Sequence, residues 1–167
     1  MNAPEDFDYV GPEWLMDRDE LRSAKAYLRG IEKRWEKKRI LRDQKPRGCE
    51  AKLEKLSSEI DDLNDSLDVL CESVLKRALG LERYMVLRVA RSDSYQVNLQ
   101  ALEFRLTEFG HNNRLAWHIE GRATRKNGTL GEKADSIMFD VARIERRRLD
   151  GTWDRLTLRD DCESSSK

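Results

Sequence analysis

The sequence predicts an α+β fold: an N-terminal antiparallel helical hairpin, coiled-coil-like, followed by a curved antiparallel β-sheet of about five strands. Two changes in pattern carry this expectation. Apolar residues step in threes and fours from Trp14 to Val74, and after Gly80 they alternate with a period of two. Turn signals then recur between the alternating runs, at Gly110-His111-Asn112-Asn113, Asn127-Gly128 and Asp150-Gly151. The expected boundaries are an acidic arm at 1–11, the hairpin at 12–80, the sheet domain at 83–159 and a polar tail at 160–167.

Gly11-Pro12-Glu13 suits a helix start, because proline is tolerated in the first turn. The first strip is Trp14, Leu21, Ala24, Leu28, Ile31 and Trp35, imperfect at Asp17 and Lys38. Gly30 lies off this strip and costs about 1 kcal/mol relative to alanine. Lys45-Pro46-Arg47-Gly48 breaks the helix, and an uninterrupted second strip follows: Leu53, Leu56, Ile60, Leu63, Leu67, Leu70 and Val74. Gly80 stands where a C-terminal cap is expected. The short connection predicts antiparallel helices of roughly 30 residues, or about 45 Å, each. Trp14 and Trp35 are expected on the packed strip. Trp35 lies near the tip, where the seam splays and leaves it partly exposed.

In the sheet region, Tyr84–Ala90 is an apolar run of strand length. Tyr95, Val97, Leu99 and Ala101 alternate, and Leu102, Phe104 and Leu106 continue in the opposite phase. Such a slip predicts a β-bulge or a strong bend in one long strand. Leu115, Trp117 and Ile119 form the next run. A loop from Lys126 to about Asp135 leads to Ile137, Phe139 and Val141, with a second slip before Ile144. Trp153, Leu156 and Leu158 close what the hairpin-like links predict to be a meander.

The 167 residues carry 38% hydrophobic and 38% charged side chains, with 32 Lys+Arg against 32 Asp+Glu. Zero net charge speaks against a broadly basic nucleic-acid binder, and it permits self-association. Three widely spaced cysteines, Cys49, Cys71 and Cys162, offer neither a disulfide framework nor zinc spacing. They read as reduced thiols in a cytoplasmic protein. No apolar run reaches membrane-span length, and Met1–Val10 lacks the order of a signal peptide.

No nucleophile elbow, phosphate loop or dinucleotide turn is present. His118 and Glu120 share a strand face and could form an acid/base pair, but solvated strand faces often carry such residues. No catalytic residue, metal site or cofactor is therefore assigned, and the chain is expected not to be an enzyme.

Charge is arranged, however. Arg18, Arg22, Lys25, Arg29, Lys33 and Lys37 recur at helical spacing along the first helix, and Glu54, Asp61, Asp65, Asp68 and Glu72 along the second. Like charges at this spacing repel by roughly 0.2–0.5 kcal/mol per pair, so local helix stability does not explain either stripe. Solvated faces are the plain reading. The functional reading is an adaptor, inhibitor or assembly factor that self-associates or docks a protein through the hairpin, using Asp61, Asp65, Asp68, Glu72, Arg22, Lys25, Arg29 and Lys33, with Trp35 as an apolar anchor. The alternative is a nucleic-acid-binding regulator using Arg18, Arg22, Arg29 and Lys33 with Arg146, Arg147 and Arg148. Those last three adjoin Arg143 before the Asp150-Gly151 turn. Arginines there also serve as edge protection. Alternation sends Arg146 and Arg148 to one face and Arg147 to the other. A third reading places a small-molecule site within the curved sheet around Trp117, His118 and Glu120.

Overall fold

A computed structural model describes residues 11–44, 47–92, 95–109, 114–125, 127–139 and 144–156. The expected acidic arm, the Lys45-Pro46 break, the turn at 110–113 with His111, the strand residue Val141, Arg143, and the terminal stretch with Leu158 and Cys162 lie outside the described residues. The described residues fall into two compact units. One comprises residues within Met1–Met16 and Cys71–Lys167, and the other spans Asp17–Leu70.

Helix formation starts twice rather than once. Pro12–Leu15 forms a single turn, α1, and Arg18–Gln44 forms α2. Asp17 separates them and caps α2. Its Oδ1 accepts from the amides of Asp19 (2.9 Å) and Glu20 (2.8 Å), while its own amide donates to Glu20 Oε2 (3.2 Å). This reciprocal pairing is a capping box. The apparent flaw in the strip at Asp17 is therefore a helix start.

In the 17–70 unit, α2 runs antiparallel to the first part of α3, Glu50–Leu79. Arg34 Nε donates to Glu59 Oε2 at 2.8 Å, and Lys38 Nζ donates to Ser57 Oγ at 2.6 Å. A Cβ at Gly30 would stand 3.1 Å from Leu63 Cδ1. Gly30 thus lets Leu63 approach the α2 backbone, which offsets its poor helix propensity. Ala24, Ile60 and Leu67 are buried, but Leu28, Ile31, Leu53, Leu56 and Leu63 are only half-buried.

The last turns of α3 belong to the other unit, where Cys71, Val74, Leu75, Ala78 and Leu79 are buried. The expected cap at Gly80 is present. Gly80 has φ of 67°, its amide donates to Lys76 O (2.9 Å), and the Leu81 amide donates to Leu75 O (3.3 Å). The bond from the Gly80 amide to Lys76 O is the αL cap. Within this unit α1 is tied down at both faces: Glu13 Oε1 accepts from the Leu115 amide (3.2 Å), and Arg77 donates to Leu15 O (3.2 Å).

The sheet has six antiparallel strands: β1 Val86–Ser92, β2 Tyr95–Phe109, β3 Arg114–Thr124, β4 Leu130–Phe139, β5 Ile144–Arg147 and β6 Trp153–Arg155. Their order is β4-β3-β2-β1-β5-β6, so the sheet is not a simple meander: β5 adds to the free edge of β1 instead of to β4. The second phase slip, before Ile144, marks this change of strand. The loop expected from Lys126 to Asp135 is instead a tight turn. Arg125 N donates to Thr129 O and Gly128 N to Arg125 O, both at 2.8 Å. The first half of β4 is mostly exposed and polar, so no apolar alternation announces it.

The slip within β2 is the expected bulge. Register with β3 shifts between Ala101 and Glu103, so Leu99, Ala101, Phe104 and Leu106 are all buried. Opposite it stands Gly121, paired with Ala101. A Cβ there would overlap the Gln100 carbonyl oxygen and lie 2.7 Å from Leu99 Cδ1. The core of this unit joins Val74, Leu75, Ala78 and Leu81 with Leu87, Val89, Leu99, Phe104, Leu115, Trp117, Ile119 and Ile144.

Gly121→Ala is expected to lower stability by about 1–3 kcal/mol, the range for overpacking. Urea denaturation of the two proteins measures this, and an unchanged midpoint would contradict the close approach of β2 and β3.

Candidate interaction surfaces

The basic stripe of α2 is real and wet. Arg18, Arg22, Arg29, Lys33 and Lys37 are exposed and Lys25 is half-buried. Arg22 is 3.7 Å from the exposed Asp19, a pair of little energetic weight. On α3, Asp61 and Asp65 are exposed, while Asp68 is half-buried and engaged within the protein. Glu72 departs from this pattern: it lies in the sheet-containing unit and is hydrogen-bonded to Arg83. The acidic stripe available in the hairpin unit is therefore Glu54, Asp61 and Asp65, with Asp68 at its end.

Trp35 is 48% exposed, as its place near the tip predicts, and Lys38 Nζ sits 4.8 Å from its ring centroid. Around it Glu32, Glu36, Arg39, Arg42 and Asp43 form an open concavity. Two further apolar side chains of this unit are exposed, Ile40 at 43% and Val69 at 69%. Trp14 is 51% exposed. The expectation that it packs on the strip fails because α1 is a separate turn and not the start of α2.

In the sheet, Arg146 and Arg148 share the single carboxylate of Asp154, at 3.4 and 3.1 Å. Arg147 pairs in register with Trp153, on the other face. The alternation read from the sequence therefore holds. Trp153 meets an arginine from two strands away: the Arg88 guanidinium lies 4.4 Å from its ring centroid and donates to Glu145 Oε2 at 2.6 Å. The two arginine clusters of the nucleic-acid reading, 18–33 and 146–148, lie in different units.

The third reading does not assemble. Trp117 is fully buried, and its Nε1 has no hydrogen-bond partner among the described residues. His118 and Glu120 point to the opposite face, where Arg105 holds Glu120 at 3.2 Å and Glu103 at 3.0 Å. Partial burial lowers the His118 pKa from its ordinary 6.5, opposed by the charge of Glu120. No group of three or more His, Cys, Asp or Glu among the described residues could hold a metal ion. No helix there is long and apolar enough to cross a membrane.

The apolar run is expected to begin its strand at Tyr84, but β1 starts at Val86, and Tyr84 is 65% exposed and held at φ of 69°. A non-glycine residue rarely adopts that conformation, and no pattern in the sequence announces it. Beside it, an open groove runs along Met85, Val86 and Arg146–Leu149. No protein-family model matches this chain, nor does any curated protein or solved structure.

Because the folded His118 binds its proton more weakly than the unfolded one, stability should fall as pH drops below about 6.5. His118→Gln is expected to flatten that acid limb, which thermal melts across pH 5–8 will read. An identical pH profile in the variant would show that His118 does not contribute.

Proposed function

We propose that this chain is a non-enzymatic protein-interaction module whose helical hairpin associates with a second copy of itself. The observation that supports this most is the unfinished seam. Two helices alone cannot enclose a heptad strip, and here Leu28, Ile31, Leu53, Leu56 and Leu63 remain half-buried, with Trp35 exposed on the same strip. Burying a Leu-sized side chain fully is worth about 1.5–3 kcal/mol, so covering even part of this surface favours association. A four-helix arrangement is the common way to complete such a seam.

Charge selects the occupant. A two-fold interface brings the same patch of each copy together, so it must be self-complementary. The hairpin carries an exposed basic stripe on α2 and exposed carboxylates, Asp61 and Asp65, on α3. A second copy laid against it matches one to the other, and zero net charge leaves little long-range repulsion. Trp35 supplies the aromatic anchor that dominates many interfaces.

Sedimentation equilibrium of the full chain tests the proposal. A dimer is expected whose dissociation constant rises about tenfold or more in Trp35→Ala and in Asp61→Lys/Asp65→Lys, equivalent to about 1.4 kcal/mol. Adding Arg22→Glu/Arg29→Glu to the lysine variant should restore dimerisation by exchanging the signs. A monomer at every attainable concentration would refute self-association.

A further inference from the structure

At one end of the sheet, β1 and β5 part. Their ladder stops at the Leu87–Arg146 pair. β1 nevertheless stays paired with β2 through Val86–Gln100, and β5 with β6 through Arg147–Trp153. The separated segments line an open groove of about 780 Å³.

Three features of this groove are not needed to hold the sheet together. Tyr84 stands on its rim, and among the described residues it is the only non-glycine with positive φ. Such a conformation is strained and persists only where the surroundings hold it. Here the Tyr84 amide donates to Ala101 O (2.6 Å), and Gln100 Nε2 donates to Tyr84 O (3.1 Å). The backbone is fixed while the ring stays in solvent. Leu149, on the opposite rim, is fully exposed.

The third feature is charge. Arg146, Arg147 and Arg148 line the groove, and the carboxylate of Asp154 serves the first and the last of them. Asp150, also on the wall, accepts from the Thr152 hydroxyl (2.6 Å) and amide (2.9 Å) in its own turn. Arg147 has no ion-pair partner among the described residues. Its guanidinium passes between two glycine turns, 3.9 Å from where a Cβ at Gly128 or Gly151 would stand.

We propose that this groove binds single-stranded nucleic acid, with Tyr84 stacking on a base and Arg147 leading the arginines in contacting phosphates. An aromatic platform beside a cationic groove is the arrangement that takes single strands without regard to sequence, because every base has a face to stack. A duplex hides its base faces and gives Tyr84 nothing to cover. An acidic peptide would satisfy the arginines but leave the exposed ring without a role. The proposal rests on the sheet unit alone and is independent of hairpin self-association.

The test uses the full-length chain and a fluorescein-labelled oligodeoxythymidine of about 12 nucleotides, followed by anisotropy. Binding is expected to weaken with salt at a log–log slope of about −2, from roughly 0.7 for each of three phosphates. Arg147→Glu should weaken it at least about tenfold. Tyr84→Gly accepts the positive φ and removes only the ring, so it should also weaken binding, whereas Tyr84→Trp should retain it. Lys52→Glu/Lys55→Glu, at exposed positions on α3, should leave it unchanged. The proposal is overturned by no binding at about 50 mM salt, by equal affinity for a duplex, or by loss of binding in the α3 lysine variant but not in the groove variants.

Discussion

The sheet depends on one close approach. At Gly121 the β3 backbone lies against the Gln100 carbonyl of β2 with no room for a side chain. One residue away, the register slips between Ala101 and Glu103. Bulge and glycine act together: the extra residue bends and twists β2, and the absent Cβ lets β3 follow the bend. Without the slip, Phe104 and Leu106 would face away from Leu99 and Ala101, since strand side chains alternate. With it, one strand of fifteen residues serves a single core along its length. The buried end of α3 and Trp117 contribute to that same core.

The two units use charge differently. In the sheet-containing unit, carboxylates meet cationic side chains: Glu72 with Arg83, Glu82 with Lys76, Glu145 with Arg88, and Asp154 with both Arg146 and Arg148. In the hairpin unit Arg34 with Glu59 crosses the seam, and Arg39 with Glu36 pairs along α2, while the α2 stripe and Asp61 with Asp65 face solvent. Intramolecular pairing in water contributes little, so the sheet pairs mainly set which side chains remain available. Arg147 remains available because alternation turns it to the face away from Asp154, in register with Trp153. The hairpin stripes remain available because Arg18, Arg22 and Arg29 on α2, and Asp61 and Asp65 on α3, are exposed.

The candidate surfaces were legible to different degrees. Helical spacing places Arg22, Arg29, Asp61 and Asp65 on outward faces, and exposure follows from period alone. Trp35 beside Lys38 is legible for the same reason. Glu72 is not, because α3 passes from one unit into the other and Arg83 reaches it from beyond Gly80. The positive φ of Tyr84 and the groove could not be read at all. They arise where two strands distant in sequence stop pairing, and no local pattern encodes the end of a ladder.

The sequence by itself determined the α+β class, the two long helices, the Gly80 cap and the bulge in β2. Each of these follows from a periodicity or a cap within a few residues. The start of α2 belongs with them, since Asp17 and Glu20 already stand at capping-box spacing. Tertiary structure alone decided that β5 joins β1, that Gly121 meets Gln100, that Arg88 covers Trp153 and that Asp154 is shared. These are choices among strand pairings of similar local quality. They are settled by which arrangement buries Ile144 beside Val89 and Leu87, a contact between residues more than fifty apart in the chain.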